Sequence, residues 1–404
     1  MKICMLTTSF PRYRGDYAGI FVYHLAKAMS SRGNNVLVIA PNDFKLPSHQ
    51  KIDQIEVYRF SYFIKKFQGL AYGNGILPNI KNRKWLIIQV PFFLFFQFIA
   101  ILKITKKERP DVIHAHWIFP TAFLAVLAKK LLNIPVISTA HGGDMFGLKG
   151  PLFSKIIKYT LKRSYVCTVN SKATWDAVRR ILKRDYEIIP MGVSITKYSK
   201  ERTSGDIRRR FKVKDKLLLF VGRITEKKGV EYLIRAMPDV LKAFPHTKLL
   251  IVGEGDLRDQ LQRLSFQLHL QDAISFTGSI PHEELPSYFA SADIFIGPSI
   301  VAESGDTEGL GVVFLEALAA GCAVVASNVG GISDVIIHEK TGLLVEQKNP
   351  NQIAQAIIRL IEDDNLRKRL IENGQQHVEN NFDWDKIGKR FHDLIIENVF
   401  RGCF

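Results

Sequence analysis

Short apolar runs, each followed by a stretch of helical spacing, recur along the whole chain, and the series starts afresh near mid-sequence. Runs one strand long lie at residues 2–7, 35–40, 111–114, 136–139 and 165–168, with helix-like stretches such as 20–31 and 121–132 between them. A second series opens at 216–221 and continues at 247–252, 273–277, 294–296 and 323–326. Unbroken apolar runs belong to strands buried on both faces, and helices between them make neighbouring strands parallel. The expectation is an α/β chain of two Rossmann-like doubly wound domains facing across a cleft, with ligands at the carboxyl ends of strands. The 404 residues suffice for two cores, and 47% hydrophobic with 24% charged residues excludes a disordered, collagen-like or coiled-coil chain. The polar, basic stretch 196–216 reads as the interdomain connection, giving a first domain over 1–195, a second over 196–385 and a terminal amphipathic helix over 386–404.

Charge divides as unevenly as the pattern does evenly. Residues 1–200 carry a net +21 and residues 201–404 a net −4, which together make +17. A strongly basic half points to an anionic partner. That half also contains the apolar stretch 85–104, with Phe92-Phe93-Leu94-Phe95-Phe96 at its centre and basic residues at both ends. It is long enough to suggest a membrane span, but Gln89, Pro91 and Gln97 interrupt it, leaving an interfacial helix, a buried helix and a true span as three readings. The four cysteines (Cys4, Cys167, Cys322 and Cys403) lie far apart, with neither zinc spacing nor a disulfide framework, which fits a reducing compartment. Met1 leads directly into the first apolar run, where a signal peptide would need a longer one.

Three constellations follow strands. In Asp306-Thr307-Glu308-Gly309-Leu310-Gly311-Val312-Val313, with Glu316 beyond, two glutamates bracket a glycine-rich turn that opens a helix. Amides at such an N-terminus suit phosphate, Glu316 can accept hydrogen bonds from ribose hydroxyls, and Glu308 lies at the sugar end. In Gly222-Arg223-Ile224-Thr225-Glu226-Lys227-Lys228-Gly229, Arg223 offers a bidentate fork and Lys228 a point charge, a pair suited to a diphosphate. His141, at the end of the run 136–139, is placed to orient a hydroxyl or accept its proton, or else to serve as a structural hydrogen-bonder. His114 and His116 have a spacing that suggests metal, but no third ligand follows from spacing, so no metal site is assigned. Asp383-Trp384-Asp385 reads as a helix cap and first turn.

Taken in order, these motifs resemble the family 4 glycosyltransferases of the GT-B fold, retaining enzymes with nucleotide-sugar donors. The resemblance covers nearly all of the chain. It includes Arg14-Gly15-Asp16-Tyr17-Ala18-Gly19-Ile20, the His141-Gly142 pair, Ile189-Pro190-Met191-Gly192-Val193, the Arg223 and Lys228 loop, Gly253-Glu254-Gly255 and the Glu308/Glu316 run. It implies an acceptor-binding first domain and a nucleotide-sugar-binding second one, with the terminal helix crossing back to the first. Arg223 and Lys228 would hold the donor diphosphate, Glu316 the ribose, and Glu308 the donor sugar. The amides of Gly309, Leu310, Gly311, Val312 and Val313 would serve sugar hydroxyls and phosphate. His141 would act in catalysis or on the donor sugar, Gly15 and Gly19 would lie near the phosphates and acceptor, and the base would sit near Ile280. No metal or other cofactor is expected.

Together, resemblance and charge imply a hexose transfer from a nucleotide sugar, UDP before GDP, to a glycan or lipid-linked acceptor in surface polysaccharide, lipopolysaccharide or glycolipid synthesis. They place the enzyme in the cytoplasm, peripheral on the inner face of an anionic membrane, with no nucleic-acid partner. Two departures from the family stand out: the first loop is longer than its usual glycine pair, and the common Gly-Gly-x-x-Glu appears as Gly330-Gly331-Ile332-Ser333-Asp334. A nucleotide-sugar epimerase on the same fold and a non-catalytic scaffold are the alternatives. A nicotinamide dehydrogenase is disfavoured because Gly253-Glu254-Gly255 lacks the third glycine of its fingerprint.

Overall fold

A computed structural model describes every residue except 14, 74, 148–149, 199–204 and 401–404. The chain divides into two units, Met1–Met191 together with Trp384–Phe404, and Gly192–Asp383. The first division therefore falls a few residues before 195, within the stretch that follows the last strand of the first sheet.

The first unit holds eight strands: β1 (Lys2–Leu6), β2 (Asn35–Pro41), β3 (His49–Ile52), β4 (Ile55–Phe60), β5 (Val112–His116), β6 (Val136–Ala140), β7 (Val166–Val169) and β8 (Glu187–Ile188). They lie in the order β3-β4-β2-β1-β5-β6-β7-β8. All pair in parallel except β3, which turns back on β4 as an antiparallel edge. Cys4, Leu6, Leu37, Ile39 and Ile113 fill one side of the core. The terminal helix Trp384–Ile395 belongs to this unit and packs on helix Ile20–Ser30, where Gly388 lies so close to Ala28 that an added Cβ would fall 2.7 Å from the alanine methyl. Asp383 directly precedes this helix and Asp385 lies in its first turn.

The second unit holds β9 (Leu217–Val221), β10 (Lys248–Val252), β11 (Ile274–Gly278), β12 (Ile294–Gly297), β13 (Ala323–Ser327) and β14 (Leu343–Val345), all parallel, in the order β11-β10-β9-β12-β13-β14. Both sheets thus run outward from their first strand and then reverse, so each has a switch point: between β1 and β5 in one, between β9 and β12 in the other. At such a point adjacent loops diverge to opposite faces and leave room for a ligand beyond the carboxyl ends. The stretch 196–216 is more than a connection, since helices Ile195–Tyr198 and Gly205–Arg210 form within it, although 199–204 lie outside the described residues.

Within the apolar stretch, a short 3-10 segment Lys84–Ile88 leads into helix Gln89–Glu108. Phe93, Ala100 and Ile101 on one face are buried in the first unit's core, whereas Phe92, Phe95 and Phe96 are exposed. Its length and composition would suffice to cross a bilayer, and 33% of its most apolar window is buried within the protein.

Candidate functional site

The second unit's switch point brings two loops together, one after β9 and one after β12, and charges stitch them. Ile300 N–H donates to the Lys227 carbonyl (2.8 Å), and Glu303 N–H donates to the Glu226 carboxylate (2.7 Å). Lys227 Nζ lies 3.1 Å from Asp306 Oδ2, and Lys228 Nζ lies 2.8 Å from Glu308 Oε1. Gly229 permits the close approach: at φ 61°, an added Cβ would meet the Pro298 carbonyl at 2.0 Å. Glu308 is buried to 7% exposure. Burial alone would raise its carboxyl, but Lys228, Lys227 and Arg223 outweigh it and hold the group below the ordinary carboxylate value. An ionised carboxylate and three cations therefore share one loop pair, and Arg223 is exposed on it.

Behind Glu308 stands the Gly330-Gly331 pair of the Gly330-Gly331-Ile332-Ser333-Asp334 run. Gly331 N–H donates to the Glu308 carbonyl at 3.0 Å, and a Cβ on Gly330, at φ 57°, would fall 2.2 Å from the same oxygen. No side chain fits there without moving Glu308. Past Glu308, Gly309 and Leu310 lead into Gly311, which caps helix Val312–Ala319 in the left-handed conformation. The first N–H groups of a helix, here those of Val312 and Val313, have no intrahelical acceptor and are available to an anion.

Glu316 lies on that helix, half-buried. Tyr198 Oη donates to its Oε1 at 2.7 Å. Burial pushes the Glu316 carboxyl up to about 7, with the Tyr198 hydrogen bond and the charge of Lys197 opposing the shift. Tyr198 is a residue the sequence did not single out: it is 118 positions from its partner and stands in no motif. Ile280 lies two residues beyond β11, at the carboxyl edge of the same sheet.

The first unit's switch point is built from neutral rings. His116 ends β5 and His141 follows β6 directly, with His116 Nδ1 and His141 Nε2 3.0 Å apart. Phe21 lies 5.0 Å from the His141 ring and Trp117 lies 5.2 Å from it. His114 Nε2 pairs with Thr139 Oγ1 at 2.7 Å. Burial lowers His141 to about 3, helped by the nearby His114, and lowers His114 to about 3 as well, so both imidazoles are neutral at physiological pH. Since His141 Nε2 is engaged, any further hydrogen bond of the ring falls to Nδ1. Asp144 ties the two loops: its carboxylate accepts from His141 N–H (3.0 Å) and from Ile118 N–H (2.6 Å). Burial raises Asp144 to about 6 against those two donors.

The loop after β1 is held by charge. Asp16, nearly buried, accepts from Arg12 Nε at 2.7 Å, and Arg12 Nη1 reaches Asp43 at 2.7 Å. Gly15 lies in the turn they brace, and Gly19 directly precedes helix Ile20–Ser30. Among the described residues no group of three or more His, Cys, Asp or Glu has a metal-holding arrangement, and His114 and His116 are partnered by Thr139 and His141. The structure thus brings Arg223, Lys228, Glu308 and residues 309–313 together in the second unit, with Glu316 on the helix they open. It sets Gly15, Gly19 and His141 at the first unit's strand ends.

Comparison with known proteins then gives a consistent answer. The family model described as glycosyl transferases group 1 matches residues 204–377, and that of glycosyltransferase family 4 matches residues 18–197. The chain is 32% identical to an uncharacterised glycosyltransferase of Methanocaldococcus jannaschii over 96% of both sequences. It is 28% identical to a GDP-mannose-dependent alpha-(1-6)-phosphatidylinositol monomannoside mannosyltransferase of Mycobacterium tuberculosis, over 68% of this chain and 73% of that one. Its fold matches Anabaena HepE, solved with UDP and glucose, with a TM-score of 0.74 at 20% identity, covering 98% of this chain and 100% of that one.

Proposed function

This chain belongs to the group 1, family 4 glycosyltransferases, and on that premise we propose that it transfers a sugar from a nucleoside diphosphate sugar, a UDP-sugar in the first instance, to a hydroxyl of a glycan or lipid-linked acceptor with retention of configuration. The observation that carries this reading is the loop pair of the second unit, where Lys228 and Lys227 are aimed at Glu308 and Asp306 with Arg223 exposed beside them. UDP is preferred because HepE, with which the fold aligns over 98% of this chain, was solved with it; the GDP-mannose dependence of the mycobacterial relatives makes GDP-sugars the competing donor.

In this reading the diphosphate docks on Arg223, Lys228 and the N–H groups of residues 309–313. Lys228 exchanges part of its pairing with Glu308 for phosphate oxygen, and Glu308, kept ionised, accepts hydrogen bonds from the donor sugar. Glu316 receives the ribose hydroxyls on the oxygen that Tyr198 leaves open. The bond between the anomeric carbon and the diphosphate oxygen breaks, and its electrons go to the diphosphate. The acceptor oxygen bonds to the same face, and its proton passes to the departing diphosphate. Arg223, Lys228 and the amides stabilise the negative charge that develops there. His141, a neutral ring beside Phe21 and Trp117, orients a hydroxyl rather than supplying a charge. Charge neutralisation falls to these residues without a metal, so a chelator is expected to leave turnover unchanged.

The test is transfer or slow hydrolysis of a panel of UDP- and GDP-sugars, in the presence of a chelator, with the anomeric configuration of the product followed by NMR. One donor turned over with its α-configuration kept supports the reading. An inverted product, or turnover only with a restored divalent metal, contradicts it.

A further inference from the structure

Half of the strongly exposed large apolar side chains among the described residues fall within one short part of the chain, between Ile64 and Ile99. On helix Gln89–Glu108 and the turn before it, Trp85, Ile88, Phe92, Phe95, Phe96 and Ile99 are exposed, Ile88 and Phe95 each to 59%. From Ile88 onward their spacing of three and four residues sets them on a single face. The opposite face carries Phe93, Gln97, Ala100 and Ile101, all buried. The helix is therefore anchored in the first unit's core by one side and presents a stripe just as apolar on the other. Soluble surfaces rarely keep a contiguous patch of this kind uncovered.

The charge around the stripe says what covers it. From residue 61 to residue 107 there are eight Lys and Arg and no Asp or Glu. Lys81, Arg83 and Lys84 stand exposed at one end of the stripe, and Lys103, Lys106 and Lys107 stand exposed at the other, with Lys103 and Lys106 continuing the same helical face. A protein partner would have to match an aromatic stripe flanked only by cations. An anionic bilayer does so without special design, since acyl chains take the aromatics while phosphate headgroups meet the cations.

We propose that helix Gln89–Glu108 lies in the plane of an anionic lipid surface as an interfacial anchor, its Phe92/Phe95/Phe96 face in the acyl boundary together with Trp85 of the preceding turn, and its flanking lysines among the headgroups. It lies on the membrane and does not cross it, because Phe93, Ala100 and Ile101 are part of the protein's own core. The surface shares no residue with the loops assigned to the nucleotide sugar, and neither assignment depends on the other.

The experiment is co-sedimentation of the full chain with vesicles of phosphatidylcholine alone and of phosphatidylcholine mixed with phosphatidylglycerol. Emission from Trp85 is read through the difference between the wild-type chain and Trp85→Tyr. The protein is expected to sediment with the mixed vesicles and weakly with the neutral ones, and Trp85 emission to shift to the blue. Each lysine reversed is expected to weaken partitioning about fivefold or more, as a contribution of ~1 kcal/mol per basic residue implies. The triple variant Phe92→Ser, Phe95→Ser, Phe96→Ser is expected to lose binding with an unchanged melting temperature and unchanged nucleotide affinity, which separates this proposal from the donor assignment. Absence of binding to the mixed vesicles overturns it, as does binding that the triple variant retains. Resistance of the cell-derived protein to alkaline extraction would show a span and overturn it too. So would a vesicle-free dimer that the triple variant abolishes, which would make the face a contact between copies of the chain.

Discussion

The two sheets differ in size and in the antiparallel edge β3, but both reverse beside their first strand and place polar residues at that switch point. The two clusters are nevertheless made of opposite materials. In the first unit His114 and His116 are buried, the half-buried His141 stands beside them, and His114 and His141 are held neutral; the buried acid next to them, Asp144, uses both oxygens on backbone N–H groups. In the second, Lys227, Lys228, Asp306 and Glu308 pair across two loops, and Glu308 stays ionised although it is as buried as a core residue. Burial opposes ionisation in both places. What differs is whether a facing loop brings counter-charge: three cations reach the Glu308 carboxylate, whereas among the described residues no carboxylate pairs with the ring of His114 or His141 to favour its protonated form. Glu316 is the intermediate case, with Tyr198 and Lys197 offsetting part of its burial. The fold fixes where the strand-end loops meet; the loop residues decide whether they present charge or neutral hydrogen-bonding groups.

The comparison breaks first if the charges prove dispensable. Arg223→Ala, at an exposed position, is expected to lower turnover by about 10²–10³-fold, as loss of one donor to developing charge does, while leaving the melting temperature unchanged. Wild-type turnover in that variant would remove the diphosphate assignment. Next in size is Gly330→Ala. A Cβ there cannot coexist with the Glu308 carbonyl, so the variant is expected to lose ~1–3 kcal/mol of stability as overpacking does, along with donor affinity, both read by thermal melts with and without nucleotide. The first unit answers to a different probe. Asp144→Ala leaves the His141 and Ile118 N–H groups without their acceptor and is expected to cost ~2 kcal/mol in denaturant unfolding, with nucleotide affinity unchanged.

The smallest effect sharpens the contrast through pH. With His114 and His141 both at about 3 and Glu308 held low, Glu316 at about 7 is the carboxyl of the second unit's loop pair and helix placed to titrate near neutrality, while Asp144 at about 6 belongs to the first unit. Its raised value means that the folded state holds the proton more tightly than the unfolded chain. Ionising it therefore costs stability as pH rises from the ordinary 4.5 toward about 7. Nucleotide affinity is expected to rise severalfold over the same approach to neutrality, because the carboxylate is the better acceptor for ribose hydroxyls. Glu316→Gln should flatten the profile, and Tyr198→Phe, by removing a hydrogen bond to the ionised form, should move its midpoint upward.

How much of this was legible follows from the physics of each element. The parallel strands could be read because strands buried on both faces are continuous apolar runs; residues 2–7 and 35–40 anticipate β1 and β2 to within a residue. The hairpin β3–β4 was missed: His49–Ile52 is an exposed edge of polar residues, and its partner Ile55–Phe60 alternates within a short stretch. Helix Gln89–Glu108 resisted assignment for the opposite reason. Periodicity registers contrast between faces, and here the exposed face is as apolar as the buried one. Arg223, Lys228, Glu308 and Glu316 could be singled out as candidates because each stands in a motif of sequence neighbours. Tyr198, the Gly330–Gly331 support of Glu308, and the bridge Asp144 makes to Ile118 could not, because each depends on a contact between segments that only the folded sheet brings together.

The most direct test of the charged loop pair as the diphosphate site is calorimetric titration of UDP and GDP, with a chelator present, into the wild-type chain, Arg223→Ala and Lys228→Gln. The account predicts that one nucleotide binds the wild type and that each variant loses about tenfold or more in affinity, roughly 1.4 kcal/mol, with the same melting temperature for Arg223→Ala. Equal affinity in all three proteins would contradict it, and the diphosphate would have to be sought elsewhere in the molecule.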